Sequence, residues 1–419
     1  LNASSALIPS LLRKGDHEAA TCEAISALRE TFGFEVNTVH FTQDEYSLNS
    51  VSGRAVLSDG TVYFFKFHQE EGEEENVAEY YRAQLLVDAG LPVEAPLAAS
   101  TTPGAQMVLY PWHREPRMAD ICVDLERAHG PAAGLGAELL EARRAMDARI
   151  GKVLLESLAP PVATSAAGAV HQLFYHRLAD TSGRFPGARY LSYYHTDPVF
   201  AEVAGKRWRV NGVEYQSSLA QLAALAAELL APGRLAELAV VTAHGDDHQG
   251  NIWVIDGGPS SGPMLRLFDP AFAATDIPAL IAPVKATYHN ALAHPFWLYH
   301  PEEAAERFSV ETAVEGEVVE VWHDADLPQL RQEVLASVAE LVWRPLLREL
   351  AERSWLPGNW RQIVRSALFC CPMLVTNLLA GYRPASIRML GLAQAVVAGS
   401  EPVGGSRDQI SDFLDGVTP

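Results

Sequence analysis

Three oxygen-bearing side chains stand at spacings suited to a metal-bound phosphate. The segment His244-Gly245-Asp246-Asp247-His248-Gln249-Gly250-Asn251 lies between two apolar runs, Leu238 to Val241 and Ile252 to Ile255. A further strand-like segment ends at Leu267-Phe268-Asp269-Pro270, placing Asp269 18 residues past Asn251. The pattern reads as strand, tight loop, strand and a later strand end, delivering Asp246, Asn251 and Asp269 into one small volume. Two carboxylates and an amide oxygen are hard ligands, better suited to Mg²⁺ and its attached phosphates than to zinc. The matching chemistry is phosphoryl transfer, which needs a base near the acceptor hydroxyl and metal ions that bridge phosphate oxygens. A polar turn whose His244 and Asp269 only satisfy backbone groups would carry the same letters.

His-Gly-Asp, four further residues, Asn and a later Asp resemble the catalytic segment of the aminoglycoside phosphotransferase family, relatives of the protein kinases. The resemblance implies an α+β, bilobal protein-kinase-like fold, with an N-lobe of antiparallel sheet plus helix and a larger, mostly helical C-lobe. It implies ATP and Mg²⁺ as cofactors, Asp246 as the catalytic group that orients or deprotonates the acceptor hydroxyl, and Asn251 and Asp269 as metal ligands. Two departures stand out. Asp247 occupies a position where the family commonly has an apolar residue, and Asp269 is followed by Pro-Ala rather than Phe-Gly.

The elements that must position these groups follow from periodicity. Residues 6 to 33 carry apolar positions at helical spacing and predict one or two helices. Short alternating runs then predict an antiparallel sheet: Phe34 to Val36, Val39 to Phe41, Arg54 to Leu57 and Thr61 to Phe67, with Asp59-Gly60 as a hairpin turn. Lys66 sits inside the last of these apolar strands, where an unpaired lysine is costly to bury. In the family resemblance it contacts the α- and β-phosphates, and Glu79, on an amphipathic helix through Val77, Tyr81 and Leu85, is its ion-pair partner. An edge-strand lysine pointing into water is the plainer alternative. The polar stretch 46–53, with Asn49 and Ser50, lies where the family places a phosphate-covering loop and is expected to cradle the nucleotide. No G-x-G-x-x-G and no Walker motif is present, so a P-loop enzyme is excluded.

Val93 to Ala98 and Gln106 to Trp112 predict two more strands, the second stopped by Pro111; the family resemblance implies that it leads into the hinge between lobes. The lobes accordingly divide as residues 1–112 and 113–400, followed by a flexible tail over 401–419. A helix is expected over 137–158 and another over 216–230. Between them lies a passage rich in aromatic and basic residues, Phe174 to Arg177, Arg184-Phe185, Arg189-Tyr190 and Tyr193 to His195. It either lines an acceptor pocket or is aromatic core with snorkelling arginines. Asp276, in Thr275-Asp276-Ile277-Pro278, is assigned a structural part, and the histidines and aromatics of 284–300 read as core. A hairpin around Glu315-Gly316 and helices from about residue 327 complete the C-lobe.

Composition narrows the partners. A formal net charge of −20 argues against nucleic acid or an anionic membrane, both of which require excess Lys and Arg. It suits a cationic small substrate, though solubility alone accounts for it too. No apolar run is long enough to cross a bilayer, and no basic-then-apolar start marks a signal peptide. The four cysteines form neither a metal spacing nor a disulfide framework, which points to the reducing cytoplasm. Nothing in the sequence sets an oligomeric state. The expectation is an ATP-dependent small-molecule kinase acting on a hydroxyl of an aminoglycoside, amino sugar or related metabolite. Alternatives are a homoserine-, choline- or methylthioribose-type acceptor, a non-catalytic kinase-like binding protein, and a hydrolytic metalloenzyme using His244, Asp246 and His248.

Overall fold

Residues 4–42, 50–68, 82–100, 107–128, 135–258 and 262–419 are described by the structure, a computed structural model. Two helices, Ser4–Arg13 and His17–Phe32, open the chain. The second begins where the Asp16 carboxylate accepts from the Ala19 N–H, and stops at Gly33, whose positive φ lets its N–H close on the Arg29 carbonyl. It lays Ala20, Ala24, Ala27 and Leu28 against an all-antiparallel five-stranded sheet in the order β1-β2-β3-β5-β4. The strands are β1 (Val36–Phe41), β2 (Ser50–Leu57), β3 (Val62–His68), β4 (Ala98–Ser100) and β5 (Met107–Pro111). The expected Asp59-Gly60 turn joins β2 to β3, with the Thr61 N–H bonded to Asp59 Oδ1.

Strand alternation decides what β3 presents to each side. Phe65 and Phe67 are fully buried in the N-lobe core with Ala24, Leu28 and Leu109. Phe64 and Lys66 therefore point to the opposite face, where Phe64 joins Val108, Tyr110 and Ala271 in a small cluster bridging to the C-lobe. The expected strand over 93–98 is different. Val93 makes an isolated parallel bridge to Leu267 and the Glu94 N–H bonds the Leu267 carbonyl, so this stretch braces the lobes and β4 is confined to 98–100.

The C-lobe has its own, much larger core, built on the helices Leu135–Ser157, Leu219–Leu229, Trp360–Val375 and Ala385–Gly399. The second half of Trp360–Val375, Ala367 to Leu374, is buried all round, which matches its unbroken apolar sequence. Two short antiparallel pairs carry the candidate site: β8 (Val240–Ala243) with β11 (Ala274–Pro278), and β9 (Ile252–Asp256) with β10 (Pro263–Leu267). The hairpin β12 (Val310–Glu315) and β13 (Val318–His323) joins β6 (Arg207–Val210) and β7 (Val213–Glu214) in a four-stranded sheet, through a parallel β13–β6 pairing that local periodicity does not encode.

The C-terminal segment corrects an expectation. Residues Gln409–Val417 form a helix that buries Ile410, Phe413, Leu414 and Val417, and Arg361 pairs with Asp415 at 2.7 Å. Its i, i+3, i+4 apolar spacing is sufficient for docking, so 401–419 is not a loose tail. Among the described residues no helix is long and apolar enough to cross a membrane.

Candidate active site

The loop after β8 is held by side-chain-to-backbone hydrogen bonds. Gly245 takes φ +81°, and a Cβ there would lie 2.8 Å from the Phe272 carbonyl oxygen, so the turn requires glycine on both counts. His244 Nε2 donates to the Phe268 carbonyl at 3.0 Å, and its Nδ1 accepts the Asp246 N–H at 3.3 Å. His248 Nδ1 accepts the Gly250 N–H at 3.1 Å, which fixes the remaining ring proton on Nε2. Burial lowers the His248 pKa to about 4, consistent with that neutral tautomer. Asn251 donates its side-chain NH₂ to the Asp246 carbonyl at 2.9 Å, committing the nitrogen and leaving Oδ1 as an acceptor.

Pairing of Ile252 with Leu267, and the Phe268 N–H bond to the Asn251 carbonyl at 3.0 Å, set Asn251 opposite Phe268, one residue before Asp269. Asp269 adopts φ +58°, a left-handed conformation uncommon outside glycine but comparatively tolerated by Asp. From the N-lobe, Lys66 Nζ reaches across 203 residues of sequence to bond Asp269 Oδ2. The lysine is thus paired, as its burial requires, and its partner among the described residues is Asp269. Glu79 and Asn49 lie outside the described residues. Ser50 opens β2, its backbone opposite His68.

The Asp246 carboxylate is not bare. Lys285 Nζ lies 2.7 Å from Asp246 Oδ1, with both side chains about nine-tenths buried, and His248 Nε2 lies 3.6 Å from the same oxygen. Although burial alone opposes ionisation, the Lys285 ammonium and the neighbouring histidines hold the Asp246 pKa well below the usual carboxylate range. Asp247 behaves oppositely: burial pushes its carboxyl up, against the pull of His244 and Arg143. Beneath it Arg143 pairs with Asp147 at 2.5 Å, and Ser337 donates to Asp147 at 2.6 Å. This polar layer accommodates an acidic residue where the family resemblance expected an apolar one.

Lys285 was not singled out in the sequence, because it lies in an otherwise apolar and aromatic stretch. Its helix, Val284–Thr287, runs into a π-helical turn, Tyr288–Leu292, whose Asn290 accepts the Gln249 N–H at 2.7 Å. The aromatic and basic passage divides likewise: Phe174, Tyr190 and Tyr194 are core, while Arg177 is buried near Lys285 and opposes its charge. Asp276 accepts from Thr164 Oγ1 at 2.8 Å.

Beside this centre, a cavity of about 400 Å³ opens between the lobes, lined by Phe64, Tyr110, Trp112, His113, Trp253 and Phe268. The Trp253 ring stacks on Phe268 with centroids 4.4 Å apart, and His113 lies 5.3 Å away on a near-parallel plane. The volume and flat apolar walls suit a planar heterocycle. Trp253, two residues after Asn251 on β9, had no flag beyond its place in an apolar run. Among the described residues no cluster of three or more His, Cys, Asp or Glu side chains forms a metal cage. An Mg²⁺ ion shared with substrate phosphates needs only one or two protein carboxylates, and Asn251 Oδ1 with the half-exposed Asp269 carboxylate fits that donor set.

No family model matches the chain, and no curated protein matches it. Solved structures similar to it include a spectinomycin phosphotransferase in complex with ADP and spectinomycin, at 13% identity over 90% of this chain and 98% of that one, with a TM-score of 0.36. An amicoumacin kinase in complex with AMP-PNP, Ca²⁺ and amicoumacin shares 12% identity over 94% of each chain, at a TM-score of 0.46. The macrolide 2′-phosphotransferase MphH from Brachybacterium faecium shares 14% over 89% of this chain and 96% of that one, at 0.37.

Proposed function

We propose that the protein is an ATP-dependent small-molecule kinase that transfers the γ-phosphoryl group to an alcohol. The observation that carries this reading is the contact between Lys66 of the N-lobe and Asp269 of the C-lobe. It sets a cation on Asp269, one residue past the Phe268 N–H bond to the Asn251 carbonyl, and Phe268 also lines the flat-walled interlobe cavity. In this reading the base of the nucleotide lies between Phe64 and Trp253, and Lys66 exchanges Asp269 for the α- and β-phosphates. Glu79, Asn49 and Ser50 are proposed to complete the phosphate site. Asn251 and Asp269 would hold Mg²⁺, which would supply positive charge to offset that of the phosphates.

Asp246 accepts a hydrogen bond from the acceptor hydroxyl and orients its oxygen toward the γ-phosphorus. As the O–P bond forms, the bond to the β-phosphate oxygen breaks and its electron pair leaves with ADP. The hydroxyl proton passes to Asp246. A carboxylate held this strongly ionised is a weak base, so orientation comes first and proton transfer follows late. The proposed acceptor is an aminoglycoside, amino sugar or related amine-bearing alcohol, which the acidic surface favours by steering.

The test is incubation of the protein with Mg·ATP and a panel of hydroxylated metabolites and aminoglycosides, with mass spectrometry reading the gain of a phosphoryl group. Absence of any phosphorylated product, together with no binding of Mg·ATP, would refute the reading.

A further inference from the structure

The carboxylate assigned to the acceptor hydroxyl is fixed at three points by its own chain. Its N–H is bonded to His244 Nδ1, its carbonyl to Asn251 Nδ2, and its Oδ1 faces the Lys285 ammonium. Among the described residues no hydrogen bond to Oδ2 is found, and the cation contacts of the carboxylate are to Oδ1. We infer that Lys285 is a positioning residue for transfer, holding Oδ1 of Asp246 so that Oδ2 is turned to the acceptor hydroxyl. This rests on the kinase reading and goes beyond it, because it assigns a part to a residue outside the catalytic segment.

Burying a lysine and an aspartate together is a poor way to gain stability, since desolvation consumes most of the attraction and an apolar pair of similar volume serves as well. The arrangement does supply direction. Lys285 is delivered by the element that also clamps the loop, because the π-helical turn following it bonds Gln249 through Asn290. The polar groups around the pair restrict the lysine further. Arg177 and Cys371 face Lys285, His248 and His244 face Asp246, and the neutral, buried His289 ring is held by Tyr299 at 2.9 Å. Arg177 opposes the Lys285 charge, and among the described residues the anion paired with the ammonium is Asp246.

The experiment is steady-state kinetics across pH 5 to 9 on Lys285→Met, Lys285→Arg, Asp246→Asn and the Asp246→Asn/Lys285→Met double variant. Phosphate release from Mg·ATP to water is followed alongside transfer to whichever panel alcohol the wild type phosphorylates. Lys285→Met is expected to lose about 100-fold in kcat, the cost of a misplaced catalytic group, with KM for Mg·ATP changed less than about threefold. The acid limb of its rate profile moves to higher pH, because the buried carboxylate has lost its cation. Lys285→Arg recovers part of the rate. The double variant carries no unpaired buried charge and is expected to be no slower than Asp246→Asn alone, since Lys285 acts only through that carboxylate.

Unchanged kcat and an unmoved acid limb in Lys285→Met, with the wild type active, would overturn this inference and leave the kinase reading standing. A double variant much slower than Asp246→Asn would also overturn it, by showing that Lys285 acts on something else. A wild type that turns over neither water nor any alcohol removes both readings together.

Discussion

Two lysine–aspartate pairs sit within one site and differ in almost everything but their letters. Lys66 on β3 and Asp269 in the loop after β10 meet across the interlobe cleft, 203 residues apart in sequence, and the Asp269 side chain keeps 26% of its exposure. Lys285 and Asp246 meet inside one lobe, both about nine-tenths buried, at 2.7 Å. The first pair joins two bodies and is partly open to solvent, so in the proposed reading a nucleotide with its metal would enter it and take both partners. The second is closed by the β8 loop and the π-helical turn, so it has no exchange partner of comparable charge and acts as a fixed frame. A partly exposed ion pair is one that a charged ligand can replace, whereas a sealed one is costly to break from one side.

That contrast is most strongly tested at Asp246. Asp246→Ala should cut phosphoryl transfer at least ~100-fold while sparing nucleotide binding; normal turnover by this variant would remove Asp246 from its assigned part. Lys66→Met is expected to lower kcat/KM by about 30- to 100-fold and, unlike Lys285→Met, to raise KM for Mg·ATP, because its cation contacts the nucleotide itself. Equal KM effects from the two lysine variants would erase the distinction between an exchangeable pair and a fixed one.

A smaller effect is expected at the cavity wall. Trp253→Ala should weaken Mg·AMP-PNP binding about tenfold by calorimetry, the loss of one stacking surface, and leave the acid limb of the rate profile in place. The smallest effect is in the pH dependence of stability. His248 and His294 are held neutral by burial, with pKa values near 4 and near 3, whereas in the unfolded chain they protonate near 6.5. Between those values the unfolded state binds more protons. Stability therefore rises with pH from about 4 to 6.5 and levels off above. A melting temperature a few degrees lower at pH 5 than at pH 7.5 is expected, and His294→Asn, which keeps a cap acceptor for the Phe296 N–H, should narrow the gap. A flat profile would show that these rings are not sealed.

Asp246, Asn251 and Asp269 were legible as a group because glycine, amide and carboxylates at fixed offsets between apolar runs leave few other arrangements of strand and loop. Lys66 was legible for a related reason, since a charge in an alternating apolar strand must find a partner, and the alternation itself says which face it takes. Its contact with Asp269 was not legible in the same way. The chain supplies many acidic residues, and only the packing of one lobe on the other selects Asp269. Lys285 gave no signal because a lysine among apolar and aromatic residues resembles a snorkelling side chain until the neighbouring elements close over it. The C-terminal helix was missed because short, glycine-flanked amphipathic segments are stable only against a core they do not themselves contain.

The sequence by itself determined the local frame: which runs form strands, where glycine must turn the loop, and which hard-oxygen side chains that loop carries. Those are decided by backbone sterics and near-neighbour periodicity, which act over a few residues. The tertiary structure alone decided the charge pairing, the flat-walled cavity between Phe64 and Trp253, and the lowered pKa of Asp246. Each of these depends on desolvation and on distances between groups far apart in the chain, and neither quantity exists until the two lobes and the π-helical turn have packed.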